Sequence, residues 1–119
     1  MSYATRIAPA LAEVVQLLTA AGVPATTQRD KIQTPGAFVG PASVSMVPTL
    51  GGGSVAVLRA HVLLVARDND KALEELARLL DAALGVLEPD EDVDASLVFP
   101  INNNPLPAWR LVVDLDLEE

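Results

Sequence analysis

The 119-residue chain has the length of one domain, and a chain of this size buries roughly two-thirds of the surface its unfolded form exposes. Half of it is hydrophobic but only Tyr3, Phe38, Phe99 and Trp109 are aromatic, so the core is aliphatic; with no Cys and a single His, disulfides, thiolate chemistry and Cys-based metal sites are excluded. The net charge of −8 is unevenly spread, since residues 1–67 carry five basic side chains against two acidic ones, whereas residues 68–119 carry three basic and fourteen acidic.

A sequence-reading nucleic-acid binder would show a basic patch interleaved with aromatics, and none is present. No apolar run reaches the roughly 20 residues needed to cross a bilayer, and the first residues lack the pattern of a signal peptide. The reading is a soluble intracellular protein without a membrane role.

Ile7, Leu11, Val14, Val15 and Leu18 share one helical face, which predicts a helix over about residues 5–21 with Thr5 as its N-cap. Gly22 followed by Pro24 supplies the stop. Residues 26–35 read as irregular, ending in a Pro35-Gly36 turn. Ala37–Pro41 is a short extended piece, and Ser43–Val47 alternates like a half-buried strand. Pro41 and Pro48 cannot donate to a ladder, so this segment lies at an edge or carries a bulge. Leu50–Ser54 is a glycine-rich hairpin connection.

Ser54–Ala66 reads as one long strand. Its face of Ala56, Leu58, Ala60, Val62, Leu64 and Ala66 is wholly apolar and belongs against helices. The opposite face has Arg59 and His61 at its middle and is expected to be only partly covered. A second helix over Lys71–Leu87 follows, with Leu73, Leu76, Leu80, Leu84 and Leu87 as its apolar stripe and Asp68, Asn69 or Asp70 as its cap. Gly85 is a candidate early stop. Residues 88–94 read as a solvated acidic loop. A strand then starts at Leu97–Phe99 and turns at Asn102–Pro105, and a last strand from Trp109 alternates apolar residues with Arg110, Val112, Asp114, Asp116 and Glu118. The expected fold is a single α+β domain: a four-stranded antiparallel or mixed sheet with two helices on one face, in the order α-β-β-α-β-β.

No catalytic signature stands out. Gly51-Gly52-Gly53-Ser54 opens a strand rather than a helix and lacks the P-loop lysine, so it is a hairpin. Ser54 has no nucleophile-elbow context. His61 has no second ligand or triad partner and is assigned to structure or an interface. The acidic loop lacks the glycine and terminal Glu of an EF-hand. Phe99 and Trp109 are candidates for the core or a subunit interface. Asp114, Asp116 and Glu118 have two readings: the solvated face of an edge strand, or an acidic wall that a polyanion passes without sticking.

Ala37-Phe38-Val39-Gly40-Pro41, the strand end Leu63–Ala66, Asp70-Lys71-Ala72-Leu73 entering a helix with Leu76, Leu79 and Leu80, and the final strand from Trp109 together resemble the tail terminator (tail completion) proteins of long-tailed bacteriophages. The resemblance covers nearly the whole chain by pattern and order. It implies a non-enzymatic virion protein, made in the host cytoplasm and placed at the head–tail junction. Such a protein forms a hexameric ring that caps the tail tube, ends polymerisation of the major tail tube protein and meets the head-side connector or stopper. DNA passes through the lumen without specific binding, and no cofactor or metal is called for. In this setting Asp114, Asp116 and Glu118 are the candidate lumen-facing acids. Arg59, His61, Trp109, Leu50 and Gly52 are the candidate contacts with other subunits or partners. Another head–tail connector protein is an alternative, as is a small-molecule-binding or enzymatic α+β domain using Arg59 and His61.

Overall fold

The computed structural model describes residues 3–28, 31–48, 50–67, 69–101 and 104–117. A 3-10 turn, Tyr3–Arg6, leads into α1 (Ile7–Ala20). It is followed by β1 (Ala25–Thr26), β2 (Gly36–Pro48), β3 (Ser54–Val65), α2 (Ala72–Leu84), β4 (Asp94–Ile101) and β5 (Asn104–Asp116). The fold is therefore α+β with two helices, as expected, but the sheet has five strands in the order β1-β2-β3-β5-β4. β1 runs parallel to β2, and every other neighbouring pair is antiparallel.

The fifth strand lies in the segment expected to be irregular. It has two residues, too few for alternation to show, and is held by the pairings Ala25–Ala37 and Thr26–Phe38. The two extended pieces expected around Pro41 are one strand with an irregularity between Pro41 and Ser43, which is the bulge that the prolines demanded. β5 is inserted between β3 and β4. Leu111, Val112 and Val113 of this strand are buried, with Leu111 and Val113 in the core under the helices.

β2, β3 and β5 place Ala37, Val39, Ala56, Leu58, Ala60, Val62, Leu64, Leu111 and Val113 on one face. There they form a single core with Leu11, Val14 and Leu18 of α1 and Leu76, Leu79 and Ala83 of α2, so both helices cover the same face. The end of α1 is a Schellman motif. Val23 donates to the Leu18 carbonyl at 2.9 Å and Gly22 to Thr19 at 3.1 Å, with Gly22 at φ +92° and the side chains of Leu18 and Val23 fully buried.

Three local expectations change. Arg6, not Thr5, occupies the cap position of α1, because the preceding turn is already helical in 3-10 form. Lys71 occupies that of α2, with Asn69 steadying the entry by accepting from the Lys71 amide at 2.9 Å; Asp68 lies outside the described residues. The apolar stripe expected on α2 holds at Leu76, Leu80 and Leu87, which lie in or against the core, but Leu73 and Leu84 are 68% and 45% exposed, and Glu75, Leu79 and Ala83 are buried in their stead. Gly85 does end this helix.

The molecule measures 53 × 25 × 25 Å. Helices of 14 and 13 residues reach only about 20 Å at 1.5 Å per residue, whereas strands of 13 and 12 residues reach about 40 Å. Even so, the reach beyond the sheet expected of β3 is limited to its first residues, because Ala56 and Leu58 are fully buried in the shared core and Leu117 donates to the Ala56 carbonyl at 3.0 Å; the exposure near the hairpin tip belongs to the edge strand β2. Residues 41–46 are all exposed, in contrast to Gly36, Ala37, Val39 and Gly40, which are buried.

Candidate functional site

The face of the sheet turned away from the helices carries the polar residues singled out in the sequence. The register sets Arg59 opposite Asp114, His61 opposite Val112 and Val57 opposite Asp116. One end of this face is closed by a small apolar cluster of Val65 and Ala108 with Ile32, Phe38, Leu63 and Leu106. The other end is charged.

At that end the Arg59 guanidinium meets Asp114 side-on, with Nε donating to Oδ1 at 3.1 Å and Nη2 to Oδ2 at 3.5 Å. Its Nη1 donates to Glu91 Oε2 at 3.2 Å. The Asp114 hydrogen bond is the main reason the Arg59 pKa is raised above its ordinary value. Two expected roles thus converge: the candidate interface cation and a candidate lumen acid are each other's partner. Both side chains are substantially exposed, so the pair contributes little to stability and acts mainly to fix position.

The acidic segment 88–94 is not a free loop. The Asp90 amide donates to the Val112 carbonyl at 2.8 Å, and the Asp114 amide donates to Asp90 Oδ2 at 2.7 Å. The segment thereby continues β4 along the edge of β5, and Asp94 meets Arg110 at 3.5 Å. Sequence reasoning missed Asp90, Glu91, Asp94 and Arg110 as members of the site. The available signal was electrostatic: Arg59 and Arg110 sit on one face, with no acid in their own strands but Asp114 and Asp116. Even so, Asp90, Glu91, Asp94, Asp114 and Asp116 outnumber the two arginines, and the face remains acidic. Among the described residues Asp116 has no ion-pair partner.

The other sequence-picked residues fall elsewhere. Trp109 lies opposite Leu64 on the helix-covered face, half-buried against the core, so the sheet separates it from Arg59 and His61. Leu50 is fully exposed at the hairpin tip, beside Gly52 at φ +86°. Glu118 lies outside the described residues. Phe99 pairs through its main chain with Leu106.

His61 is half-buried between Arg59 and Leu63. Burial lowers its pKa below the ordinary 6.5, the positive charges of Arg110 and Arg59 push the same way, and Glu91 opposes them. The unfolded chain therefore takes up this proton at a higher pH than the folded one. At neutral pH and above both forms are unprotonated and His61 has no effect. As the pH falls below 6.5, protonation favours unfolding until the lower folded pKa is passed. A His61→Gln variant should accordingly lose less stability than the parent chain between about pH 7 and pH 5, measured by urea unfolding; equal losses would contradict this placement.

Among the described residues no group of three or more His, Asp or Glu is placed to hold a metal ion. No described helix is long and apolar enough to cross a membrane. A cleft of about 250 Å³ opens beside the end of α1, lined by Thr19, Pro24, Ala25, Thr26, Lys31 and Gln33, and involves neither Arg59 nor His61. Compared with protein-family models, curated proteins and solved structures, the chain matches none.

Proposed function

We propose that this chain is a structural virion protein of a long-tailed bacteriophage. Six copies form a ring that caps the tail tube, terminates polymerisation of the tube protein and joins the tail to the head-side connector. The observation that carries the reading is the two-sided sheet. Both helices lie on one face, while the other presents Asp114 and Asp116 with the folded-back acids Asp90 and Glu91. Turned toward a common axis, that second face gives a lumen lined by carboxylates.

The physics suits passage rather than capture. Duplex DNA carries one negative charge per roughly 1.7 Å of axis, and proteins hold it by neutralising phosphates with Lys and Arg. In this face the Arg59 and Arg110 guanidinium groups are already engaged by carboxylates, which leaves a polyanion little to bind. The same ring reading accommodates a neighbouring head–tail connector protein. A small-molecule site built on Arg59 and His61 is less well supported, because the Arg59 guanidinium is already engaged by Asp114 and Glu91.

The test is DNA ejection from particles carrying altered copies. Asp116→Lys is the cleanest change, since Asp116 has no partner to lose, whereas Asp114→Lys also releases Arg59. The double variant should eject DNA more slowly than the parent, with Asp116→Lys alone in between. Unchanged ejection from the double variant would contradict the acidic lumen.

A further inference from the structure

In a ring with the acidic face of the sheet inward and the helices outward, neighbouring copies meet at the edges of the sheet. The strand order makes those edges β1 and β4. Ala25, Ala37, Leu64 and Trp109 lie in one row across β1, β2, β3 and β5, and Arg110, next to Trp109, is opposite Asp94. The two edges therefore stand at one height, about 19 Å apart at about 4.8 Å per strand.

The edges differ in charge. Between α1 and β3 the chain carries two basic side chains against one acidic, whereas residues 88–94 carry five acidic and none basic. In that acidic segment Asp90, Glu91 and Asp94 are engaged by the Asp114 amide, Arg59 and Arg110. Asp92 is exposed, and among the described residues it has no ion-pair partner. The fold leaves this carboxylate unneutralised.

The β1 edge holds the counterpart. The cleft there is lined by Thr19 from the last turn of α1, Thr26 of β1, Lys31 and Gln33, and none of the described residues lining it is acidic. Lys31 is exposed and likewise has no ion-pair partner among the described residues. Thr26 Oγ1 accepts from the Gln28 amide at 3.0 Å, which leaves the hydroxyl proton to donate. The Leu17, Leu18 and Thr19 carbonyls at this end of α1 are occupied by the Ala21, Gly22 and Val23 amides, which blunts the negative end of the helix. At about 250 Å³ the cleft has room for about eight waters at roughly 30 Å³ each, below the usual range of about 300–1,000 Å³ for small-molecule pockets. Its size and its donors suit one acidic side chain.

We infer that the Lys31 cleft on the β1 edge of one copy receives Asp92 from the β4 edge of the next. The two surfaces differ, so the contact is head-to-tail and passes from copy to copy until it closes. In a chain of net charge −8, this complementarity sets the orientation in which copies that otherwise repel can meet. The inference deepens the ring reading and rests on it for the expectation that copies sit edge to edge.

Self-association is measured by analytical ultracentrifugation at low salt, where exposed charges are least screened, with urea unfolding as the folding control. Lys31→Glu should weaken it by about tenfold. Lys31→Glu combined with Asp92→Lys has the parent's net charge and restores opposite signs at every contact, so it should recover most of that loss. Lys31→Glu combined with Asp81→Lys has the same net charge but places the new cation at an exposed site on α2, and it should stay as weak as Lys31→Glu alone. If Lys31→Glu assembles as the parent does, or Asp92→Lys rescues no better than Asp81→Lys, the edge contact is overturned while the ring reading stands. If rescue is specific to Asp92→Lys but the assemblies are open chains, the edge contact stands and the ring reading falls. If the parent chain does not self-associate, both are overturned.

Discussion

Replacing Leu64 with Ala should lower the free energy of unfolding by about 2–5 kcal/mol. Leu64 is fully buried on the central strand β3, between Ala37 of β2 and Trp109 of β5, and belongs to the core shared by both helices. The change removes apolar contact and leaves a cavity in a close-packed core, which its neighbours can only partly fill by relaxing inward. Urea unfolding measures it. Met46→Ala is the matched comparison, lying on the same face of the same hairpin but half-exposed on the edge of β2. It should change stability by no more than about 0.5 kcal/mol. Equal losses at the two positions would mean that Met46 is covered in the monomer, which contradicts the described fold.

Gly36→Ala should cost about 1–3 kcal/mol, from crowding rather than from backbone conformation. A Cβ at Gly36 would run into the Gln33 carbonyl oxygen and come within 2.7 Å of the Pro24 carbonyl oxygen. Both are main-chain atoms and cannot swing aside as a side chain would. The Pro24 oxygen also accepts from the Ala37 amide at 2.8 Å, the hydrogen bond that ties β1 to the start of β2. Forcing the oxygen away loosens that tie and the connection from α1 to the sheet. Gly51→Ala at the hairpin tip, where an added Cβ meets nothing within 4 Å, should be close to neutral by the same denaturation measurement. A neutral Gly36→Ala would contradict the close approach.

Much of this architecture was legible because it is local. The apolar spacing in α1, the Gly22–Pro24 stop and the strict alternation in β3 each declare themselves within a few residues, and Pro41 announced the bulge. What escaped depends on which segments meet. The two-residue β1 has meaning only beside β2. The place of β5 between β3 and β4 is a matter of which strands pair, and the alternation from Trp109 onward carries no sign of it. Leu76, Leu80 and Leu87 of the α2 stripe were placed correctly, but Leu73 and Leu84 were not, because they fit a helical repeat as well as Leu79 and Ala83 do and periodicity cannot say which apolar residues are covered.

The candidate site divides in the same way. Arg59, His61, Asp114 and Asp116 were visible as polar residues on strands that otherwise read as core. Their grouping on one face follows from the β3–β5 register, and the contribution of Asp90, Glu91 and Asp94 follows from a loop that folds back along the β5 edge. Neither is written in local pattern.

The central claim is the ring, and native mass spectrometry paired with negative-stain imaging of the purified chain tests it most directly. The account predicts a single closed assembly of six copies with an open centre. A chain that stays monomeric at the concentrations used for tail assembly, with no ring in the images, would contradict it.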